Sequence, residues 1–127
     1  MNTIQRRRYS RISFHGEASL QIGNCQRICE VLDLSLLGAL VIVDFPDLAT
    51  GTSCLLELRL GDETCVRMDG HVAHCRSTQV GIVCEATDLD SIRHLRRLLS
   101  LNLGDASLMD REFSAMLAAH TQENISQ

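Results

Sequence analysis

The sequence predicts a mainly β fold, a small antiparallel barrel followed by C-terminal helices. Six short segments between residues 12 and 84 alternate apolar and polar residues with a period of two, which is typical of half-buried strands. The period changes to 3.6 at Asp88, which indicates helices from there on. A chain of 127 residues can bury one hydrophobic core but not two. We therefore expect one domain, with helix covering one end or face of a closed sheet.

Turn sequences separate the predicted strands. Gly23-Asn24 is a hairpin sequence after the first strand, and a turn over residues 33–38 precedes the third. A loop over residues 45–51 precedes the fourth strand, and Gly61-Asp62 turns it back into the fifth. Gly70, inside the fifth strand, indicates a bulge or a close backbone approach. The six predicted strands cover residues 12–22, 26–34, 39–43, 53–60, 66–74 and 80–84.

Two helices are predicted after the last strand. The first begins at Asp88 or Asp90, either of which can cap it, and ends at Gly104. The second covers residues 107–120, and the polar tail after it is expected to fray. The second helix could pack under the first, extend a barrel opening or mediate self-association. The predicted apolar stripes are Leu89, Ile92, Leu95, Leu98, Leu99 and Leu103 in the first helix, and Leu108, Met109, Phe113, Met116 and Leu117 in the second.

Positive charge is concentrated at the N-terminus. Residues 1–16 hold four arginines and no carboxylate, so a net charge of −4 for the whole chain leaves −8 on the other residues. We call residues 1–11 the arm; by its composition alone it is a solvated, mobile terminus. An acidic body with one basic arm is a poor general nucleic-acid binder and better suits a compact anionic ligand. The arm's arginines are Arg6, Arg7, Arg8 and Arg11.

The six cysteines are expected to be reduced thiols. No secretory signal is recognisable, and cytosolic thiols remain reduced. Neither the Cys25–Cys29 spacing nor the group His71, His74 and Cys75 matches a familiar zinc pattern. No apolar run approaches the roughly 18 residues of a membrane span. We expect a cytoplasmic protein with no metal, no cofactor and no membrane insertion.

The turn over residues 33–38 has two interpretations. Asp33 and Ser35 could cap their own backbone, with Gly38 supplying a positive φ. Alternatively, these side chains and the arm could form one site for a small, phosphate-bearing, purine-containing anion. Arginine is suited to the phosphates because its guanidinium forms bidentate hydrogen bonds and stacks on flat groups.

The combined pattern resembles the PilZ domain family, bacterial receptors for cyclic di-GMP. An RxxxR motif (Arg7, Arg11) is followed by DxSxxG (Asp33, Ser35, Gly38), and the resemblance covers roughly residues 6–104. It implies a six-stranded antiparallel PilZ-type β-barrel with a trailing helix, and cyclic di-GMP as ligand. The expected organisation is the arm over residues 1–11, the barrel and first helix over 12–104, and the second helix and tail over 105–127.

The resemblance also implies residue roles. Arginines of the arm would bind phosphate and guanine, Asp33 and Ser35 would hydrogen-bond the guanine edge, and Gly38 would allow a tight turn near the ligand. His74 stands where many members have an aromatic residue, often Trp, and its smaller ring predicts weaker stacking. The predicted ligand-binding residues are Arg6, Arg7, Arg8, Arg11, Asp33, Ser35, Gly38 and His74.

The expected function is that of a receptor, not an enzyme. Ligand binding would order the arm and signal to an unknown protein partner, with one cyclic di-GMP or two stacked molecules bound to a monomer. One alternative is a degenerate PilZ-like adaptor that binds protein and no nucleotide. A single-stranded RNA binder would need a basic, aromatic-lined face, which the sequence lacks beyond the arm. The sequence contains neither a nucleophile elbow nor a phosphate-binding loop, so no motif of this kind indicates catalysis.

Overall fold

A computed structural model describes residues 9–61 and 63–125, with side chains described as far as residue 119. Six antiparallel strands are followed by two helices: β1 (Ile12–Ile22), β2 (Cys25–Ser35), β3 (Gly38–Ile42), β4 (Ser53–Arg59), β5 (Cys65–Arg76), β6 (Gln79–Ala86), α1 (Leu89–Leu103) and α2 (Ala106–Ile125). The strands form a closed barrel in the order β1-β2-β3-β6-β5-β4. The predicted fold class is confirmed, and no strand boundary differs from its predicted position by more than two residues.

The barrel interior is filled by the apolar residues of the alternating pattern. Leu20 of β1 pairs with Leu56 of β4, which in turn pairs with Met68 of β5. These three side chains are at most 1% exposed. Burying a side chain of this size contributes about 1.5–3 kcal/mol. Side chains on neighbouring strands therefore stabilise the barrel as cross-strand rows.

Gly70 allows two strands to approach closely. A Cβ at this position would overlap the carbonyl oxygen of Val83 on β6. The register of the β5–β6 ladder also shifts between Asp69 and Gly70. The structure thus contains both features that the glycine was predicted to indicate, a bulge and a close backbone contact.

Helix α1 begins and ends at the predicted residues. The Asp88 carboxylate accepts a hydrogen bond from the Ser91 backbone N–H at 2.7 Å, and this interaction lowers the pKa of Asp88. Gly104 adopts the left-handed conformation that ends the helix, with a φ of 69°. Leu95 and Leu99 are buried where α1 packs on β5.

Helix α2 packs against α1, which was one of the three predicted alternatives. Arg96 of α1 donates to Asp110 of α2 at 2.7 Å and lies over the ring of Phe113, 4.1 Å from its centroid. Met109 is buried. The helix continues to Ile125, five residues beyond its predicted end. Within the described residues, neither helix is apolar over enough of its length to cross a membrane.

All six cysteines carry free thiols. Burial raises the pKa of the Cys29, Cys54 and Cys84 thiols to about 11, so that these groups stay protonated near neutral pH. Across the described part of the chain, no three His, Cys, Asp or Glu side chains come together in a way that could hold a metal ion.

Candidate ligand-binding site

A cleft of about 220 Å³ opens on the barrel surface beside the turn between β2 and β3. We call it the β2–β3 cleft. Its floor consists of the close-packed backbones of β3 and β6, and its polar rim combines the end of β2 with the end of β5. The polar side chains that line it are Arg11, Asp33, Ser35, His74, Arg76 and Gln79, together with Gly38 and Gly81.

Asp33 is a half-buried carboxylate on this rim. Burial raises its pKa above the ordinary value, while the charges of Arg11 and His74 act in the opposite direction. Within the described part of the chain, no hydrogen bond to this carboxylate contributes to its pKa. Its oxygens are therefore available as acceptors for a ligand in the cleft.

Ser35 both caps the turn and lines the cleft, the two roles that the sequence analysis left open for it. Its Oγ accepts a hydrogen bond from the Leu37 backbone N–H at 3.1 Å, which caps the turn. Its side chain also lines the β2–β3 cleft, although the residue is only 8% exposed. The hydroxyl hydrogen is not used by the turn, so it can donate to a ligand.

Gly38 is required for a different reason from the one predicted. It is the first residue of β3, directly opposite Ser35, and its φ is not in the left-handed region. The expectation of a positive φ was wrong, because the turn itself is made by Leu36 and Leu37. A Cβ at Gly38 would instead overlap the carbonyl oxygen of Ile82. The glycine lets β3 and β6 approach beneath the cleft.

His74 lies directly across from Gly81 in the β5–β6 ladder. A Cβ at Gly81 would overlap the imidazole ring, so the ring rests on the glycine. His74 is exposed on its outer side and offers a flat surface to the cleft. His74 lies on β5, which pairs with the glycine-containing strand β6.

Arg76 is a cation of the cleft that sequence reasoning missed. It follows His74 by two residues on β5, so the two side chains share a face of the strand. Gln79, the residue that pairs with Arg76 across the β5–β6 turn, also lines the cleft. The signal that could have identified Arg76 is the period of two, counted from His74 towards the strand end.

The arm reaches the cleft through Arg11. Arg11 lines the cleft and is close enough to Asp33 to affect its pKa. The two residues before it are fixed against the rest of the protein: Tyr9 is buried, and Ser10 hydrogen-bonds Glu112 of α2. Arg6, Arg7 and Arg8, the other predicted ligands of the arm, lie outside the described residues.

Residues 5–101 match the PilZ domain family. This match covers well over half of the chain. The protein belongs to the PilZ domain family. The match ends within α1, so α2 lies beyond the part of the chain that this PilZ protein shares with the family pattern.

Solved PilZ structures share the fold at low sequence identity. The PilZ domain of Escherichia coli YcgR, solved with c-di-GMP, is 18% identical with a TM-score of 0.62; the match covers 76% of this chain and 91% of that one. The PilZ domain of CeSA from a cellulose-synthesising bacterium is 17% identical with a TM-score of 0.59, covering 75% and 96%. The Bacillus subtilis inhibitor of motility MotI is 19% identical with a TM-score of 0.61, covering 75% of this chain and about half (52%) of that one.

Proposed function

We propose that this PilZ protein is a receptor for cyclic di-GMP and that it binds the ligand in the β2–β3 cleft. One observation carries the proposal: Arg11, Asp33 and His74 line a single cleft, although they come from three distant parts of the chain. Family membership supports it, because the PilZ domain of YcgR has been solved with c-di-GMP.

The chemistry of the cleft suits a guanine base. Guanine offers N7 and O6 as acceptors, which a guanidinium can contact with two hydrogen bonds, and N–H donors, which a carboxylate can accept. Arg11 supplies the first kind of group and Asp33 the second. The His74 ring, supported by Gly81, offers a face on which a base can stack.

The phosphates are assigned to arginines. Arg76 adds a second described cation to Arg11 at the rim. Arg6, Arg7 and Arg8 are proposed to complete the site by contacting phosphate and guanine. We propose that the arm closes over the bound ligand and so creates a surface for a downstream protein. One ligand or a stacked pair is compatible with this number of arginines.

Titration calorimetry on the full chain tests the proposal. We expect saturable binding of cyclic di-GMP that Arg11→Ala weakens by about 10- to 150-fold, because a hydrogen bond to a charged group contributes about 1.5–3 kcal/mol. Arg59→Ala is the matched control, since Arg59 is exposed on β4 outside the cleft. Cyclic di-AMP is the control ligand, because it keeps both phosphates and changes only the bases.

The outcomes separate the proposal from its alternative. No binding of cyclic di-GMP at several hundred micromolar would refute the receptor and favour a PilZ-like adaptor for a protein partner. Equal binding of both cyclic dinucleotides would refute the role given to Asp33. The titration also gives the stoichiometry. Amide exchange of residues 1–11 that is the same with and without ligand would refute closure of the arm.

A further inference from the structure

The end of the arm is joined to α2 by a pair of hydrogen bonds. The Ser10 backbone N–H donates to Oε1 of Glu112 at 2.8 Å, and the Ser10 hydroxyl donates to Oε2 at 2.5 Å. We call this pair the Ser10–Glu112 tether. Glu112 is only 7% exposed, although it is charged. A carboxylate is buried at low cost only when its oxygens are hydrogen-bonded, and here both oxygens accept from the same residue.

We propose that α2, through the Ser10–Glu112 tether, positions Arg11 for ligand binding. This inference rests on the proposed function, since it concerns the affinity of the same cleft. Glu112 is a positioning residue and does not line the cleft. The helix that carries it lies beyond residues 5–101, the part that matches the family. It therefore acts on the cleft from outside the matched part of the chain.

The geometry indicates that the tether supports binding and does not withhold the arm. Arg11 follows Ser10 directly and lines the cleft while Ser10 is bound to Glu112. On the other side of Ser10, Tyr9 is buried at 9% exposure. The tether and the presence of Arg11 in the cleft thus occur in the same structure. If the Ser10–Glu112 contact instead kept the arm out of the site, Arg11 would lie away from the cleft whenever the tether is formed.

The expected effect is one of preorganisation. Ordering a residue's backbone has a substantial entropic cost, and a ligand gains affinity when the protein has already met that cost. Without the tether, the ligand itself must order the backbone at Ser10. We expect Glu112→Ala to raise the Kd for cyclic di-GMP by about 10-fold, equivalent to about 1.4 kcal/mol.

Two partial variants give a graded test. Ser10→Ala removes the hydroxyl bond and keeps the backbone one, whereas Glu112→Gln keeps one acceptor oxygen and removes the charge. Each should raise the Kd by about threefold, less than Glu112→Ala does. Asp110→Asn is the matched control: it removes a carboxylate of the same helix that pairs with Arg96, and within the described residues it does not contact Ser10 or Arg11. Its Kd should stay within about twofold of wild type.

Calorimetry is combined with amide exchange of Ser10 in the ligand-free protein. We expect faster exchange of this amide in Glu112→Ala than in wild type or Asp110→Asn. Unchanged exchange would overturn the tether, and faster exchange with a wild-type or lower Kd would overturn its positioning role. Should Glu112→Ala not fold, Ser10→Ala and Glu112→Gln decide the question by the same criteria. If wild type does not bind cyclic di-GMP at all, the proposed function fails, and this inference fails with it; if wild type and the variants bind equally, only the inference fails.

Discussion

Replacing Asp33 with Asn should separate stability from binding. The substitution keeps the shape of the side chain and removes its charge. Burial raises the pKa of Asp33 in the folded protein, which means that folding disfavours the ionised form. A group with a raised pKa favours the folded state fully below its ordinary pKa, and that contribution is lost as the pH rises through the folded value. At pH 7 the carboxylate is therefore a net cost, and Asp33→Asn should unfold with an equal or higher free energy than wild type.

Binding should change in the opposite direction. The amide cannot supply a charged acceptor to the N–H groups of guanine, so we expect a loss of about 1.5–3 kcal/mol, or roughly 10- to 150-fold in Kd. The affinity of wild type for cyclic di-GMP should itself fall as the pH is lowered through the raised pKa of Asp33. The Kd values of wild type and Asp33→Asn should therefore become more similar at low pH.

Denaturant unfolding at pH 7 and pH 4, together with calorimetry over the same interval, measures both effects. Asp69→Asn is the matched control, because Asp69 is an exposed strand aspartate that does not line the cleft. One result would refute both roles given to the Asp33 carboxylate: the Asp33→Asn variant is less stable than wild type at pH 7 and binds cyclic di-GMP equally well. Asp33 would then be a structural residue of the turn.

Three further substitutions test the floor and the rim of the cleft. Gly81→Ala should displace the ring of His74 and weaken binding by about 3- to 10-fold, which calorimetry measures. The melting temperature should change little, because the His74 side chain can move aside. His74→Trp should strengthen binding by a similar factor, since a larger ring stacks over more of a base and stacking contributes about 1–3 kcal/mol per base. Calorimetry and the fluorescence of the new Trp both measure this gain. Gly38→Ala should lower the free energy of unfolding by about 1–3 kcal/mol, a value that denaturant unfolding measures. The new methyl group would meet the backbone carbonyl oxygen of Ile82, which cannot move aside independently of its strand.

Each of these predictions can be contradicted. Unchanged affinity in Gly81→Ala would show that the ring of His74 does not contact the ligand, and weaker binding in His74→Trp would contradict a stacking role. Wild-type stability in Gly38→Ala would mean that β3 and β6 do not need to approach as closely as they do here.

Local patterns in the sequence were sufficient for most of the fold. Whether a segment becomes a strand or a helix depends on the period of its apolar residues, which can be read without knowing what it packs against. The caps of α1 were predictable for the same reason: Asp88 and Gly104 act on backbone within a few residues of themselves. The motif spacing from Arg7 to Gly38 was likewise enough to identify the family.

The candidate site was predictable only in part. His74 was assigned to the site by resemblance to the position where many PilZ domains have an aromatic residue, and it lines the cleft. Arg76 was missed because its role depends on how far β5 extends before it turns, and strand ends are weakly marked in sequence. The reason for Gly38 was also misjudged, since the obstacle to a side chain there is the backbone of Ile82, 44 residues along the chain.

The sequence by itself determined the barrel, its helices and the family, because these depend on periodicity and on motifs that a short stretch of chain contains. Only the tertiary structure decided that Ser10 meets Glu112, 102 residues away. Contacts of this kind depend on where α2 packs against α1. No local pattern encodes them, since neither partner carries a signal in its own neighbourhood that identifies the other.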